Sequence, residues 1–219
     1  MPHSEQKISA ALERLNHILP LAARQQALDA PLRRLHQAIL RAYVELDRSL
    51  TREEMAQQVD DIGLAVHILK ANDLVVFDCS GEPTGAYPFT MEEREHTVHI
   101  NGHTVHCMCA LDALAVSPMF ALPTEIDSRC QVTKEIIRLR QQGLSIDRED
   151  VAEVFFGIDW SAASSQTCCA NSLCTEMIFL KGAKVVQQWL AAAPQQRQSF
   201  HLNEAVDFAA RFFRPLLCE

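Results

Sequence analysis

No apolar run in this chain approaches the roughly 20 residues that a membrane-spanning helix requires, so an integral helical membrane protein is not expected. The sequence also lacks any Cys-x-x-Cys, although it holds eight cysteines. That absence removes the thioredoxin-type redox motif and leaves structural zinc without its usual paired knuckles. A basic excess is missing too: 20 Lys and Arg face 28 Asp and Glu, for a net charge of −8 and a pI near 5.6. Nucleic-acid-binding domains are normally basic on at least one face, so a polyanion partner is disfavoured. The opening residues, Met1-Pro2-His3-Ser4-Glu5-Gln6, show no basic segment followed by an apolar one, and the expected location is the cytoplasm. Neither an internal repeat nor a low-complexity tract is visible.

What is present is a core. At 219 residues and 48% hydrophobic content, the chain can form one large domain or two small ones without disulfides. In a reducing compartment, eight cysteines then point to metal binding or thiol chemistry. Some should be passive: Cys79 lies in a turn, Cys218 sits beside the last residue, and a buried thiol often serves as a small hydrophobe.

The first third reads as helical. Ile8, Leu12, Leu15, Ile18 and Leu19 recur at helical spacing before Pro20, and a second amphipathic run follows Pro31. Thr51 with Glu54 forms a capping-box signature for a third helix, and Ile62–Ala71 forms a fourth. Short strands are expected at Leu74–Phe77 and Ala86–Phe89, around a Gly- and Pro-containing turn. Helices followed by a small hairpin outline a winged helix-turn-helix, with residues 1–90 as one module and 91–219 as a second. DNA binding is one use of such a module. Packing against a neighbour is the preferred one, because Ile62–Ala71 offers only Lys70 as a strongly basic group, too little for phosphate contacts. Beyond it, Asn101-Gly102 between Thr97–Ile100 and Thr104–His106 signals a hairpin. A helix beginning near Cys109 should weaken at Pro118. Arg129–Val132, Val151–Ile158 and Met177–Leu180 read as strands, residues 134–150 carry no clear period, and helices are expected over 183–193 and 202–213. The fold class is α+β.

The chemistry concentrates in Cys107-Met108-Cys109-Ala110-Leu111-Asp112, where a strand feeds a helix. At i and i+3, Cys109 and Asp112 share a helix face. A thiol in the first helical turn feels the positive end of the dipole, which favours thiolate. A carboxylate beside it opposes ionisation by charge but can accept the thiol proton and pass it on. A core cysteine next to a solvated aspartate fits the same spacing, and on spacing alone the two readings stand side by side. A second cluster, Cys168-Cys169 with Cys174, lies far along the chain. Adjacent cysteines seldom bind one zinc ion tetrahedrally, and no local signature pairs a cysteine with His106 for hydrolysis. Soft-metal chemistry remains, with distant thiolates and a carboxylate.

These residues resemble the bacterial organomercurial (alkylmercury) lyases. The likeness rests on Cys109-Ala110-Leu111-Asp112 after a strand, Arg129-Cys130, and Cys168-Cys169 after a Ser- and Gln-containing loop. Trp189, Glu204-Ala205 and the upstream Pro88-Phe89-Thr90 also fit, so that it extends from about residue 30 onward. The resemblance implies that Cys109, Asp112 and Cys168 are catalytic and hold Hg(II) as product. It further implies that Cys130 is structural and Cys169 dispensable. Protonolysis of a C–Hg bond would give a hydrocarbon and Hg(II), for mercury detoxification, with no cofactor required. Low-molecular-weight thiols, or a mercuric reductase, would then remove the ion. Cys107 and Cys174 fall outside the matching pattern. Cys174 lies in Asn171–Glu176, which reads as an insertion after the double cysteine. Together with Cys169 these two could be accessory sulfurs; the other reading, that they are buried or incidental, suits Cys107 better than Cys174. The alternative is a non-catalytic soft-metal binder or sensor that uses the same thiols.

Overall fold

Helices lead the chain, and their boundaries follow local chemistry. A computed structural model describes residues 2–147, 153–162 and 172–218, with side chains from residue 4 onward. Helices α1 (Pro2–Ile18) and α2 (Leu21–Gln26) are divided at Pro20, which has no N–H to continue the ladder. Asp29 caps α3 (Ala30–Leu46) by accepting the Leu32 N–H at 2.9 Å. The capping box expected for α4 (Arg52–Ala56) forms in full. The Glu54 N–H donates to the Thr51 hydroxyl, and the Thr51 N–H donates to the Glu54 carboxylate. Helix α5 (Ile62–Ala71) has the expected bounds.

An antiparallel eight-stranded sheet follows. It contains β1 (Val76–Phe77), β2 (Pro83–Ala86), β3 (Phe89–Thr90), β4 (His96–Ile100) and β5 (His103–Cys107). After helix α6 (Ala110–Phe120) come β6 (Pro123–Arg129), β7 (Ile136–Gln142) and β8 (Ser145–Ile146). The spatial order is β1-β2-β3-β5-β4-β6-β7-β8. Ala86–Phe89 is therefore not one strand: a cis Tyr87–Pro88 bond turns the chain between β2 and β3. The strand expected at Arg129–Val132 lies earlier, at Pro123–Arg129, where Thr124, Ile126 and Ser128 alternate inward. Residues 134–150 contain β7, whose inward Ile137, Leu139 and Gln141 alternate with exposed Ile136, Arg138, Arg140 and Gln142.

The remaining strands make a three-stranded sheet ordered β10-β9-β11, from β9 (Val154–Asp159), β10 (Met177–Lys181) and β11 (Arg197–His201). Helices α7 (Ala183–Ala192) and α8 (Leu202–Phe213) complete the described fold. Strand β11 was not expected, because Arg197-Gln198-Ser199 is polar and only Phe200 of the strand is buried. The architecture is mixed α+β, and no described helix is long and apolar enough to cross a membrane. The first helix also closes onto the last. Lys7 pairs with Glu204 at 2.8 Å, and Arg211 forks onto Glu5 at 2.6 and 2.8 Å.

Helix α6 is the core of the molecule. All ten residues from Ala110 to Met119 are buried, so the helix is covered on every side and has no polar face. Pro118 was expected to weaken this helix, yet it continues to Phe120. Proline removes the hydrogen bond that would reach the Leu114 carbonyl, and the Gln141 side-chain amide replaces it at 2.9 Å. The replacement comes from β7, a neighbour remote in sequence.

Candidate functional site

The β4–β5 hairpin aims the chain at the site. Asn101 and Gly102 both adopt positive φ, 53° and 80°, as a two-residue turn of matching twist requires. The register then places Cys107 opposite His96 on one side and Phe89 on the other. The strand ends there, and Cys109 becomes the N-cap of α6, with extended backbone at φ −154°. Its sulfur accepts the Asp112 N–H at 3.4 Å. The i, i+3 relation read from the sequence is thus a sulfur-capped helix start, with Asp112 in the first turn.

Another thiol, that of Cys174, comes from Leu173–Glu176, a 3-10 turn that runs straight into β10. Antiparallel pairing of β10 with β9, Met177 opposite Ile158, anchors that turn. The Cys109 sulfur, an Asp112 carboxylate oxygen and the Cys174 sulfur all lie within 4.8 Å of one another, and all three residues are buried. Metal–thiolate bonds are about 2.3 Å for zinc, so a separation of this size lets two sulfurs share one thiophilic ion.

Burial dominates the electrostatics. It pushes the Asp112 carboxyl up from 3.8 to about 7, against hydrogen bonds with Cys109 that lower it. It pushes the Cys109 thiol up to about 12. A hydrogen bond with Cys174 opposes this rise, and the charge of Asp112 adds to it. Cys107, wholly buried, is raised well above its ordinary value by burial, then by Asp112 and Cys109. Cys107 and Cys109 are therefore held as neutral thiols, beside a carboxyl that can change protonation near neutral pH. Among the described residues, Asp112 Oδ2 has no hydrogen-bond partner. An unsatisfied buried oxygen is costly in a purely structural role. Here it is available to a proton or a ligand.

The other candidates divide clearly. Cys168 and Cys169 lie outside the described residues. Cys130 is buried in the turn after β6. Burial raises its thiol, but hydrogen bonds from Thr133, Lys181 and Val132 together bring it below its ordinary value. The Lys181 N–H reaches its sulfur at 3.3 Å and the Thr133 N–H at 3.4 Å, so Cys130 ties that turn to β10. Cys79 and Cys218 are exposed. His106 approaches the Arg94 backbone at 3.3 Å, and no histidine joins the sulfur–carboxylate group among the described residues. An open groove of about 720 Å³, lined in part by His99, His103, Glu125 and Arg140, holds none of the sulfurs. Cys174, which the sequence offered only as an accessory, is the residue underweighted there. Its signal is position: it stands three residues before the apolar Met177–Leu180 run, close to a strand that can hold it.

An α+β chain that gathers thiols and a buried acid at a strand–helix junction has the equipment to handle a soft metal. The alkylmercury lyase family model matches residues 89–214, more than half of the chain. The chain belongs to the alkylmercury lyase family, whose members are enzymes that act on organomercurials. Among solved structures it is similar to one described as the mercury-bound form of MerB2. The identity is 17%, the TM-score 0.73, and 93% of this chain and 98% of that one are covered, which shows a shared fold. No curated protein matches the sequence.

Proposed function

We propose that the enzyme cleaves the C–Hg bond of organomercurials by protonolysis, with Cys109 and Cys174 as the mercury-binding thiols and Asp112 as the proton carrier. The observation that carries this reading is the mutual 4.8 Å grouping of the three side chains. In this reading Cys174 takes the place of the second thiol, which the resemblance gives to Cys168, a residue outside the described ones. Cys109 gives its proton to Asp112, and the thiolate binds the mercury of R–Hg–X. Cys174 binds next, and its proton leaves with X⁻. The Asp112 carboxylic acid then donates its proton to carbon as the C–Hg electron pair becomes the C–H bond. R–H departs and Hg(II) stays on two sulfurs, a donor set suited to a soft ion. A carboxyl titrating at about 7 is well matched to both proton steps at neutral pH. A simple chelator would leave Asp112 without a task.

The solved neighbour is a mercury-bound form, which supports Hg(II) as the bound product. Release of the ion to low-molecular-weight thiols or a mercuric reductase, a cytoplasmic location, a role in detoxification and mercuric resistance, and the absence of a cofactor complete the proposal. Residues 1–90 would serve as a winged-helix-like module that packs on the 91–219 catalytic region and does not read DNA, consistent with Lys70 being the one strongly basic residue of α5.

The deciding measurement is hydrocarbon release from an arylmercury salt in excess thiol. Wild type should turn over, and Cys109→Ser and Cys174→Ser should each lose about a thousandfold or more. If Cys168→Ser abolishes release while Cys174→Ser does not, the second thiol is Cys168. If wild type binds Hg(II) tightly but releases no hydrocarbon, the lyase mechanism fails altogether.

A further inference from the structure

One more sulfur faces the site, and it belongs to a methionine. Met177 Sδ lies 3.8 Å from Cys109 Sγ. Met177 is 3% exposed, beside Cys109 at 1% and Cys174 at 3%. Its backbone is held twice over, because its N–H bonds to the Cys174 carbonyl and it pairs with Ile158 of β9. The backbones of Cys174 and Met177 are thus tied to each other, and both sulfurs lie near the same Cys109 sulfur. Asp112 Oδ2, without a hydrogen-bond partner among the described residues and on a side chain almost wholly buried, completes the wall. Met108, next to Cys109 in sequence, does not share this arrangement: its methyl lies against Gly85.

We propose that Met177 is a third soft ligand to mercury, its thioether joining Cys109 and Cys174 on the metal of the bound organomercurial and of the Hg(II) product. The inference rests on the reading of this site as a mercury site given above. A methionine in a core ordinarily fills space. Here its donor atom, not only its methylene groups, is directed at the metal-binding sulfur. A thioether is soft and neutral at every pH, so it binds without releasing a proton and without adding charge to a buried site. Its lone pair forms a coordinate bond and no electron is transferred. A third donor raises the electron density on mercury and thereby on the attached carbon, which makes that carbon a better acceptor for the Asp112 proton. The same contact should slow exchange of Hg(II) to external thiols.

The test uses the full-length protein with one equivalent of Hg(II) and reads mercury-edge X-ray absorption. Wild type should show two short Hg–S distances and one longer one, and Met177→Leu, close in volume, should show only the two short ones. Turnover of an arylmercury salt by Met177→Leu should fall about tenfold, the scale of one weak transition-state contact. Selenomethionine-labelled wild type provides a readout independent of any substitution, since one selenium resonance should shift and couple to mercury. Two short distances alone in wild type, with no selenium–mercury coupling, would overturn the assignment of Met177. Absence of both short Hg–S distances would instead overturn the mercury-site reading beneath it.

Discussion

Replacing Asp112 with Asn should stabilise the metal-free protein while removing its chemistry, and the size of the gain should depend on pH. Asp112 is 1% exposed, and burial holds its carboxyl at about 7 rather than 3.8. Below the lower value the group is neutral in both folded and unfolded chains, so it imposes no penalty. Between the two values the unfolded chain releases a proton that the folded chain keeps, and stability falls as pH rises. Above about 7 the full cost is present. A rise of about three pH units, at about 1.4 kcal/mol each, amounts to about 4 kcal/mol. Asn has similar size and never ionises, so it carries none of this slope. Burial also holds His36 and His96 neutral to about 4. Their acid-side losses occur equally in both proteins and cancel in the difference. Urea titrations in reductant at several pH values between 4 and 8 measure that difference directly. The variant's advantage should widen across the window while hydrocarbon release disappears. Parallel curves, with a gap that stays constant to within about 1 kcal/mol, would show that Asp112 is not held protonated by burial, and the proton-carrier role would lose its basis.

Two further substitutions test the supports of the site. Cys130→Ser should lower stability by about 1–3 kcal/mol, because a smaller, harder atom replaces the sulfur that accepts the Thr133 and Lys181 N–H groups. Turnover should survive, and its loss in a stably folded variant would move Cys130 into the mechanism. Gln141→Leu should cost about 1–3 kcal/mol by stripping the Leu114 and Gly143 carbonyls of their buried donor. An unchanged unfolding midpoint would mean that the carbonyl freed by Pro118 is satisfied in some other way.

Local signals determined much of this protein. The Pro20 break, the Thr51–Glu54 capping box, the Ile62–Ala71 helix and the Asn101-Gly102 turn are each decided by residues within a few positions of one another. They can be read from the chain for that reason. The Cys109–Asp112 pair is likewise local: a strand end and the first turn of a helix set its geometry.

Tertiary structure decided the rest, wherever a residue's partner is remote in sequence. Strand β7 alternates buried and exposed positions, but its exposed face mixes Ile136 with arginines and conceals the period until β6 lies beside it. Helix α6 passes Pro118 because Gln141 arrives from another strand. Cys174 shows this most sharply. Adjacent cysteines at 168 and 169 draw attention in the sequence. They lie outside the described residues, and among the described ones it is Cys174 that stands next to Cys109, because the pairing of β10 with β9 anchors the turn that carries it. The same pairing sets Met177 against the Cys109 sulfur. Sequence determined the kind of chemistry, thiols with an acid. Which sulfurs converge depends on strand register, and register is a property of the assembled sheet.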